Sequence, residues 1–402
     1  MKEREAATTK TSLPPPDNNP LPQPSAQAQP SGPPPSQHRG DQCQQEPFAI
    51  TSIRGKARYH TRLKSAMFSL FRGDSTAAAA AAADAAPQHP SKLLFPVTDP
   101  KVDGEECLHD CSSCTVHYPK GFKIDEDDDI YGNTTQWATH LVVATSKTDW
   151  KRDVVEEEGS VMEAIGKQDG PKNGKMILSA SNMPTPDCTA DYNQPTTAIL
   201  LPALTIISNL QPSNAHLLLS SIVESAPTTT SPLTPASIPP IIPDPAGLAP
   251  PLHTRPCPHS CVILLCSQRT RDARCGQSAP LLRKEMERWL RPLGLYRDLD
   301  DERPGGVGIY FVSHVGGHKY SANVLIYRRR NPFGQDEPEA QQNGVKKEDA
   351  AAEGAAQCIW LGRVSPEDCE NLIKYTVLKG KVVKPERQLR GGFDRARGVI
   401  SW

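Results

Sequence analysis

Aromatic side chains are scarce in this chain, at 5% of 402 residues, and apolar residues of every kind reach only 37%. A polypeptide with so little to bury cannot pack along its whole length. Net charge is almost absent: 45 basic against 46 acidic side chains leave a formal charge of -1. That balance argues against a nucleic-acid partner or an anionic membrane surface held by overall charge. No apolar run approaches the roughly 18 residues needed to cross a bilayer, so no transmembrane segment is expected. The opening Met1-Lys2-Glu3-Arg4-Glu5 has no apolar signal core behind it, and Met67 is a second candidate start. These features predict a soluble, intracellular protein.

Proline is plentiful, at 40 residues with 27 glycines, and most of it lies outside segments with hydrophobic periodicity. The chain therefore reads as folded islands and spacers. Residues 1–103 form a Pro/Ala-rich tail, expected to be disordered. Within it, a basic amphipathic stretch sets Arg54, Lys56, Arg58, Arg62 and Lys64 among apolar neighbours, either a targeting or membrane-touching segment or a solvated one. Residues 104–226 form a smaller α/β domain, 227–257 a Pro/Thr/Ser linker, and 258–402 a second α/β domain broken by a disordered polar insertion at 331–356. In the first domain, strands are expected at 139–145, 175–179 and 197–210, and helices at 149–165 and 213–225. In the second, the strand Val262–Leu265 precedes a helix opened by Ser278, Ala279 and Pro280. Strands at 308–312, 323–327 and 358–364 follow, then a helix opened by Ser365-Pro366-Glu367-Asp368. This order suits a small open α/β sandwich of thioredoxin type.

Eleven cysteines, an odd number, suggest metal or redox chemistry rather than a disulfide framework in a reducing compartment. Cys266 ends the first strand of the second domain, and Cys275 follows before the helix. His314 and His318 bracket Val315-Gly316-Gly317 at a later turn. Thiolate and imidazole are donors suited to zinc or iron, and two of each complete a tetrahedral set or supply the outer ligands of a two-iron cluster. The bland reading is a buried cysteine at a strand end beside loop histidines.

The stretch Cys266-Ser267-Gln268-Arg269-Thr270-Arg271-Asp272-Ala273-Arg274-Cys275-Gly276 resembles the ligand loop of the sucrase/ferredoxin-like family of fungal proteins. Gly294-Leu295-Tyr296-Arg297-Asp298, Arg303-Pro304, His314 to Val324 and Ile359 to Val364 extend the resemblance over about 258–402. Cys107, His109, Asp110, Cys111, Cys114 and Lys147 to Lys151 carry it more weakly over 104–226. The resemblance implies a thioredoxin-like ferredoxin domain holding a [2Fe-2S] cluster through Cys266, Cys275, His314 and His318, preceded by a smaller α/β domain expected to be thioredoxin-like too. Nothing supports a sucrase: no pair of carboxylates stands out for glycoside cleavage, and the acidic run Asp125 to Asp129 reads as a solvated loop.

Replacing two thiolates by neutral imidazoles raises the potential from near about -400 mV toward the Rieske range of roughly -150 to +300 mV. A coordinated imidazole keeps a second N–H, so proton transfer can accompany electron transfer. The cysteines come as one pair and the histidines as another, unlike a Rieske protein, and the histidines are expected to share the outer iron. The expected role is a redox carrier in cellular redox or stress homeostasis rather than a substrate-turning enzyme. The alternatives are a structural zinc module on the same four ligands and a thioredoxin-type thiol enzyme, which the absence of Cys-x-x-Cys at the first strand-to-helix turn weakens. Arg269, Arg271 and Arg274 either attract an acidic partner or pair with Asp272 and Asp298 to Asp301.

Two further features carry expectations. Cys107, Cys111, Cys114 and His117 have spacing compatible with a second metal site, against a flexible reduced cysteine cluster. Ile400-Ser401-Trp402 resembles the C-terminal tail by which the cytosolic iron-sulfur assembly machinery recognises clients, which implies a cytoplasmic protein, with the mitochondrial matrix as the alternative compartment; the other reading of the tail is a terminal Trp packed on its own domain. No dinucleotide fingerprint is visible, since Gly305-Gly306-Val307-Gly308 lacks the strand-loop-helix setting. A separate, unidentified reductase and acceptor are implied.

Overall fold

The computed structural model describes residues 89–336 and 352–402; the basic amphipathic stretch and the greater part of the polar insertion lie outside them. Thirteen strands among the described residues join in one mixed sheet. They are β1 (Thr139–Ala144), β2 (Met176–Ser181), β3 (Thr196–Leu201), β4 (Thr205–Leu210), β5 (Ile241–Ile242), β6 (Leu252–Pro256), β7 (Cys261–Cys266), β8 (Tyr296–Arg297), β9 (Val307–Val312), β10 (Val324–Arg328), β11 (Gln357–Leu361), β12 (Leu389–Asp394) and β13 (Val399–Ser401). Their spatial order is β13-β12-β11-β10-β7-β9-β2-β1-β3-β4-β6-β5, with β8 beside β9. The class is mixed α/β, as expected.

The sheet contains one pattern twice. β1 pairs parallel with β2 and antiparallel with β3, which pairs antiparallel with β4. β7 likewise pairs parallel with β9 and antiparallel with β10, which pairs antiparallel with β11. A parallel pair needs a crossover, and the helices Val161–Gly166 and Ala273–Leu290 lie in the two crossovers. Each pattern closes with a composite helix that opens on a capping box, Gln211 with Asn214 in one case and Ser365 with Asp368 in the other.

The halves meet where β2 and β9 run antiparallel at the single pair Ser181 and Val312. Side chains extend this short ladder. Ser181 Oγ donates to Phe311 O at 2.8 Å, Asn182 Oδ1 accepts from Phe311 N at 2.7 Å, and Ser313 Oγ accepts from Ala180 N at 3.1 Å.

All six residues of β1 and of β7 are buried, because both sheet faces are covered. Leu141 and Val143 pack with the helices of their half, and Ile263 and Leu265 pack with Leu282, Met286 and Leu290 of the long helix. The alternate residues, Val142, Val262 and Leu264, meet Trp137, Tyr327, Trp360 and Phe393 in a third core shared by both halves. That shared core explains why a sheet this wide needs few helices.

Several elements differ from the sequence reading. The helix expected over 149–165 is confined to Val161–Gly166, where Ser160 Oγ accepts from Glu163 N; Gly159, at φ 73° just before the cap, separates it from the turn Val154–Glu156. The segment 197–210 is a hairpin rather than one strand, broken at Pro202, which has no N–H for a ladder. The Pro/Thr/Ser stretch 227–257 contributes β5 and β6 to the sheet edge. β12 and β13 were not expected, because Leu389-Arg390-Gly391-Gly392 lacks strand composition. The glycine is required there: a Cβ at Gly392 would collide with the Cys358 carbonyl.

His140 is fully enclosed, with Nδ1 3.1 Å from Tyr327 Oη and Nε2 2.9 Å from Ser179 Oγ. Burial pulls its pKa down to about 3, and burial likewise takes His259 to about 4. Unfolded histidine binds a proton near 6.5, so the unfolded state binds more protons between that pH and the folded values. Stability present above pH 6.5 is therefore lost as the pH falls toward 4, at about 1.4 kcal/mol per pH unit per histidine. In urea denaturation of the full chain at pH 7 and pH 5, His140→Gln should shrink the difference between the two by about 2 kcal/mol.

Candidate metal centre

Cys266 is the last residue of β7, and its pairing with Val312 sets it beside the end of β9. β7 and β9 both end there, at the carboxyl ends of parallel strands, the usual place for a ligand in an open α/β sheet. The helix after Cys266 begins at Ala273, not at Ser278. Asp272 caps it by accepting from Arg274 N at 2.9 Å, and Pro280 lies inside. Ser-Ala-Pro mimics a cap with proline at the first position, but this proline only forfeits a hydrogen bond to the Gly276 carbonyl. A helix start at Ala273 places Cys275 in the first turn, where unpaired N–H groups favour a thiolate. Gly276 makes room for this packing, since a Cβ there would lie 2.6 Å from Arg269 Cβ.

The sulfurs of Cys266 and Cys275 are 3.5 Å apart, and Cys266 Sγ is 3.9 Å from His314 Nδ1. Donor atoms of these three residues all lie within 4.8 Å of one another, the one such group of metal-binding type among the described residues. The His318 ring centroid is 5.4 Å from that of His314, and His318 lies outside the three-residue group. Both cysteines are buried, His314 is partly buried and His318 is exposed. Cys275 accepts a hydrogen bond from Cys266, which with His314 and Ser321 lowers its pKa to about 5 against the effect of burial; the same bond and burial push Cys266 up. Two thiolates on one tetrahedral ion, each at about 2.3 Å, stand about 3.7 Å apart. The observed sulfur pair fits that separation, and the donor set suits zinc or iron.

Side chains not singled out from the sequence hold the loops. Gln268 Oε1 accepts from His314 N at 2.9 Å, and its Nε2 donates to Lys151 O at 2.5 Å. Asp149 accepts from Thr270 N and Oγ1 at 3.1 and 2.8 Å. The first half thus buttresses the ligand loop of the second. Ser321 Oγ is 3.4 Å from Cys275 Sγ and donates to His318 O at 2.9 Å. Asn323 O accepts from Cys266 N, and its Nδ2 donates to Gly317 O at 3.1 Å. Gln268 and Asn323 stand inside the motifs read from the sequence, but nothing in a polar residue's identity announces a clamp.

The arginines of the loop divide. Arg274 pairs with Asp272 at 2.9 Å, as one reading expected. Arg269 instead lies 3.9 Å from Asp149, while Asp298 and Asp301 engage Arg291 and Arg303. The acidic run 125–129 also has a structural role: the Asp125 and Asp128 carbonyls accept from Arg363, and the Asp128 carboxylate pairs with Lys319.

The second cysteine group does not assemble. Cys111 and Cys114 pack with Val116 against Leu281 and Trp289. Cys114 Sγ donates to Val116 O at 3.1 Å, burial raises its pKa, and His117 is engaged at 2.6 Å by Glu367. Neither a metal site nor a flexible cluster results; these thiols are packing residues. At the C-terminus, β13 pairs with β12, and Trp402 lies partly buried with its ring 4.0 Å from that of Trp137.

A family model described as sucrase/ferredoxin-like matches residues 130–391, and the chain belongs to that family. The chain is similar to actin patches distal protein 1 of Saccharomyces cerevisiae, 27% identical over 307 residues, covering 72% of this chain and 85% of that protein. It is also similar to altered inheritance of mitochondria protein 32 of Clavispora lusitaniae, 30% identical over 126 residues (31% of this chain, 33% of that protein), and of Debaryomyces hansenii, 31% identical over 123 residues (31% and 33%). The chain thus spans about a third of the latter two. No solved structure matches.

Gln268→Ala should leave His314 N–H without its acceptor and free the two loops from one another. The expected cost is about 1 to 3 kcal/mol, read by urea denaturation of the full chain.

Proposed function

We propose that the chain is a one-electron redox protein in which Cys266, Cys275, His314 and His318 hold a [2Fe-2S] cluster. The observation that carries this reading is the convergence of two cysteines and a histidine at the carboxyl ends of β7 and β9 in a sucrase/ferredoxin-like chain, with a second histidine beside them. Bound there, the cluster would supply reversible one-electron transfer.

Burial supports the expected division of ligands, with the two enclosed sulfurs on the inner iron and the two more accessible imidazoles on the outer one. Neutral imidazoles in place of two thiolates favour electron uptake. The exposed His318 ring can exchange a proton with solvent as the electron moves, and exposed Arg269 offers a positive surface to an acidic donor or acceptor. The protein is read as a carrier in redox or stress homeostasis, reduced by a separate reductase. No helix of the described residues is long and apolar enough to cross a membrane, and the cytoplasm is the proposed compartment, with the mitochondrial matrix as the alternative. Ile400, Ser401 and Trp402 are the proposed handle for the cytosolic iron-sulfur assembly machinery; because they form an edge strand and its end, they can be peeled off without opening a core ladder.

A structural zinc ion is the second reading, favoured by the fit of three donors within 4.8 Å to one tetrahedral centre. Anaerobically purified full-length protein should absorb visible light and give an EPR signal after one-electron reduction; colourless protein containing zinc overturns the proposal. His314→Ala and His318→Ala should each alter the spectrum, and His318→Cys should lower the midpoint potential by adding a thiolate charge.

A further inference from the structure

Arg390 is a buried cation beneath the turn that carries the two histidines. In the β11–β12 ladder Trp360 pairs with Gly391 and Leu361 with Leu389, so Arg390 is an extra residue with no opposite number. A bulge of this kind re-aims a side chain. The side chain is 2% exposed. Its Nη1 donates to Gly316 O at 3.1 Å and to Asn323 Oδ1 at 2.6 Å, and its Nη2 donates to Asn133 O at 2.5 Å. Asn323 in turn holds Gly317 O. Arg390 therefore fixes one carbonyl of the Val315-Gly316-Gly317 turn directly and the next through Asn323. Gly317, at φ 66°, is required here, because a Cβ would collide with the guanidinium.

The charge of Arg390 is not matched by a carboxylate. Each of its hydrogen-bond acceptors is a neutral amide oxygen, its Nε is buried without an acceptor, and no ion pair among the described residues includes it. The guanidinium also lies 4.7 Å from the Trp360 ring and 5.4 Å from the Tyr320 ring. Burial lowers its pKa to about 10, which still leaves the guanidinium charged at neutral pH. Buried charges are ordinarily paired.

We propose that Arg390 is the positioning residue of the histidine turn and the fixed counter-charge for the electron that the site accepts. This rests on the reading of Cys266, Cys275, His314 and His318 as the ligands of a two-iron cluster. With two thiolates, two sulfides, two ferric ions and neutral imidazoles, the oxidised site has no net charge. One electron from an external donor converts one ferric to one ferrous ion and leaves a single negative charge. Arg390 keeps its proton throughout and attracts only the reduced form.

The test is a dithionite titration of the full-length, cluster-containing protein, followed by visible absorption and EPR, in wild type, Arg390→Gln, Arg390→Lys and Asn323→Asp. Arg390→Gln should hold the electron at least tenfold less tightly, a midpoint lower by about 59 mV or more for one electron. Arg390→Lys keeps the charge without the planar fork, so it should recover most of the potential while altering the EPR signal of the histidine-bound iron. Asn323→Asp places a carboxylate against Nη1, and its midpoint should fall although Arg390 is intact. Should Arg390→Gln not accumulate as folded protein, Asn323→Asp decides. An unchanged midpoint in Arg390→Gln, or in Asn323→Asp when it alone is available, overturns the inference and leaves the cluster reading standing. Wild-type protein that accepts no electron overturns both.

Discussion

Parallel pairing of β7 with β9 is the constraint on which the site depends. It sets Cys266 opposite Val312, so the segments leaving the two strands emerge at one edge. His314 is two residues past that pair, and Cys275 returns to the same edge in the first turn of the crossover helix. A parallel pair needs a crossover, and the crossover brings a helix N-terminus to the strand ends. Donors separated by about 48 residues in sequence thereby reach one place through backbone geometry, and the hydrogen bonds of Gln268, Ser321 and Asn323 refine their positions.

The first half has the same strand order with different chemistry at the matching places. Ala144 ends β1 as Cys266 ends β7, and Met183 lies two residues beyond β2 as His314 lies two residues beyond β9. Neither can serve as a thiolate or imidazole donor. What the first half provides is support: Asp149 holds Thr270, the Lys151 carbonyl holds Gln268, and Trp137 joins the core shared with Trp360 and Phe393. The seam is short in backbone pairing and is completed by Ser181, Asn182 and Ser313. Coupling between halves therefore runs through side chains close to the site.

The legible part of the fold was the part whose local signals agree with one another. Buried strands such as β1 and β7 announce themselves as uninterrupted apolar runs, and Ser365-Pro366-Glu367-Asp368 forms the capping box that its composition predicts. Where two local signals compete, the reading shifts: Ser278-Ala279-Pro280 resembles a helix start, yet the Asp272 cap, six residues before Ser278, wins because its carboxylate accepts from the Arg274 N–H in the first turn. β12 was hidden because its glycines serve close approach of two backbones, a requirement set by Cys358 on another strand. Cys111 and Cys114 show the converse, since spacing alone matched a metal site while burial used their thiols as apolar filler.

By itself, the sequence determined the mixed α/β class, the longer elements of the second half from β7 to the helix opened by Ser365, and the candidates Cys266, Cys275 and His314 that the fold brings into one group able to hold a metal. Those follow from side-chain type and short-range spacing. Only the tertiary structure decided that both halves share a single sheet and that Gln268, Asn323 and Arg390 serve the site. A clamp is defined by which carbonyl lies within hydrogen-bond reach, and for Arg390 that reach spans 74 residues to Gly316 and 257 to Asn133. Such distances along the chain are bridged by strand order and a bulge, and neither is written in the identity of the residue that uses them.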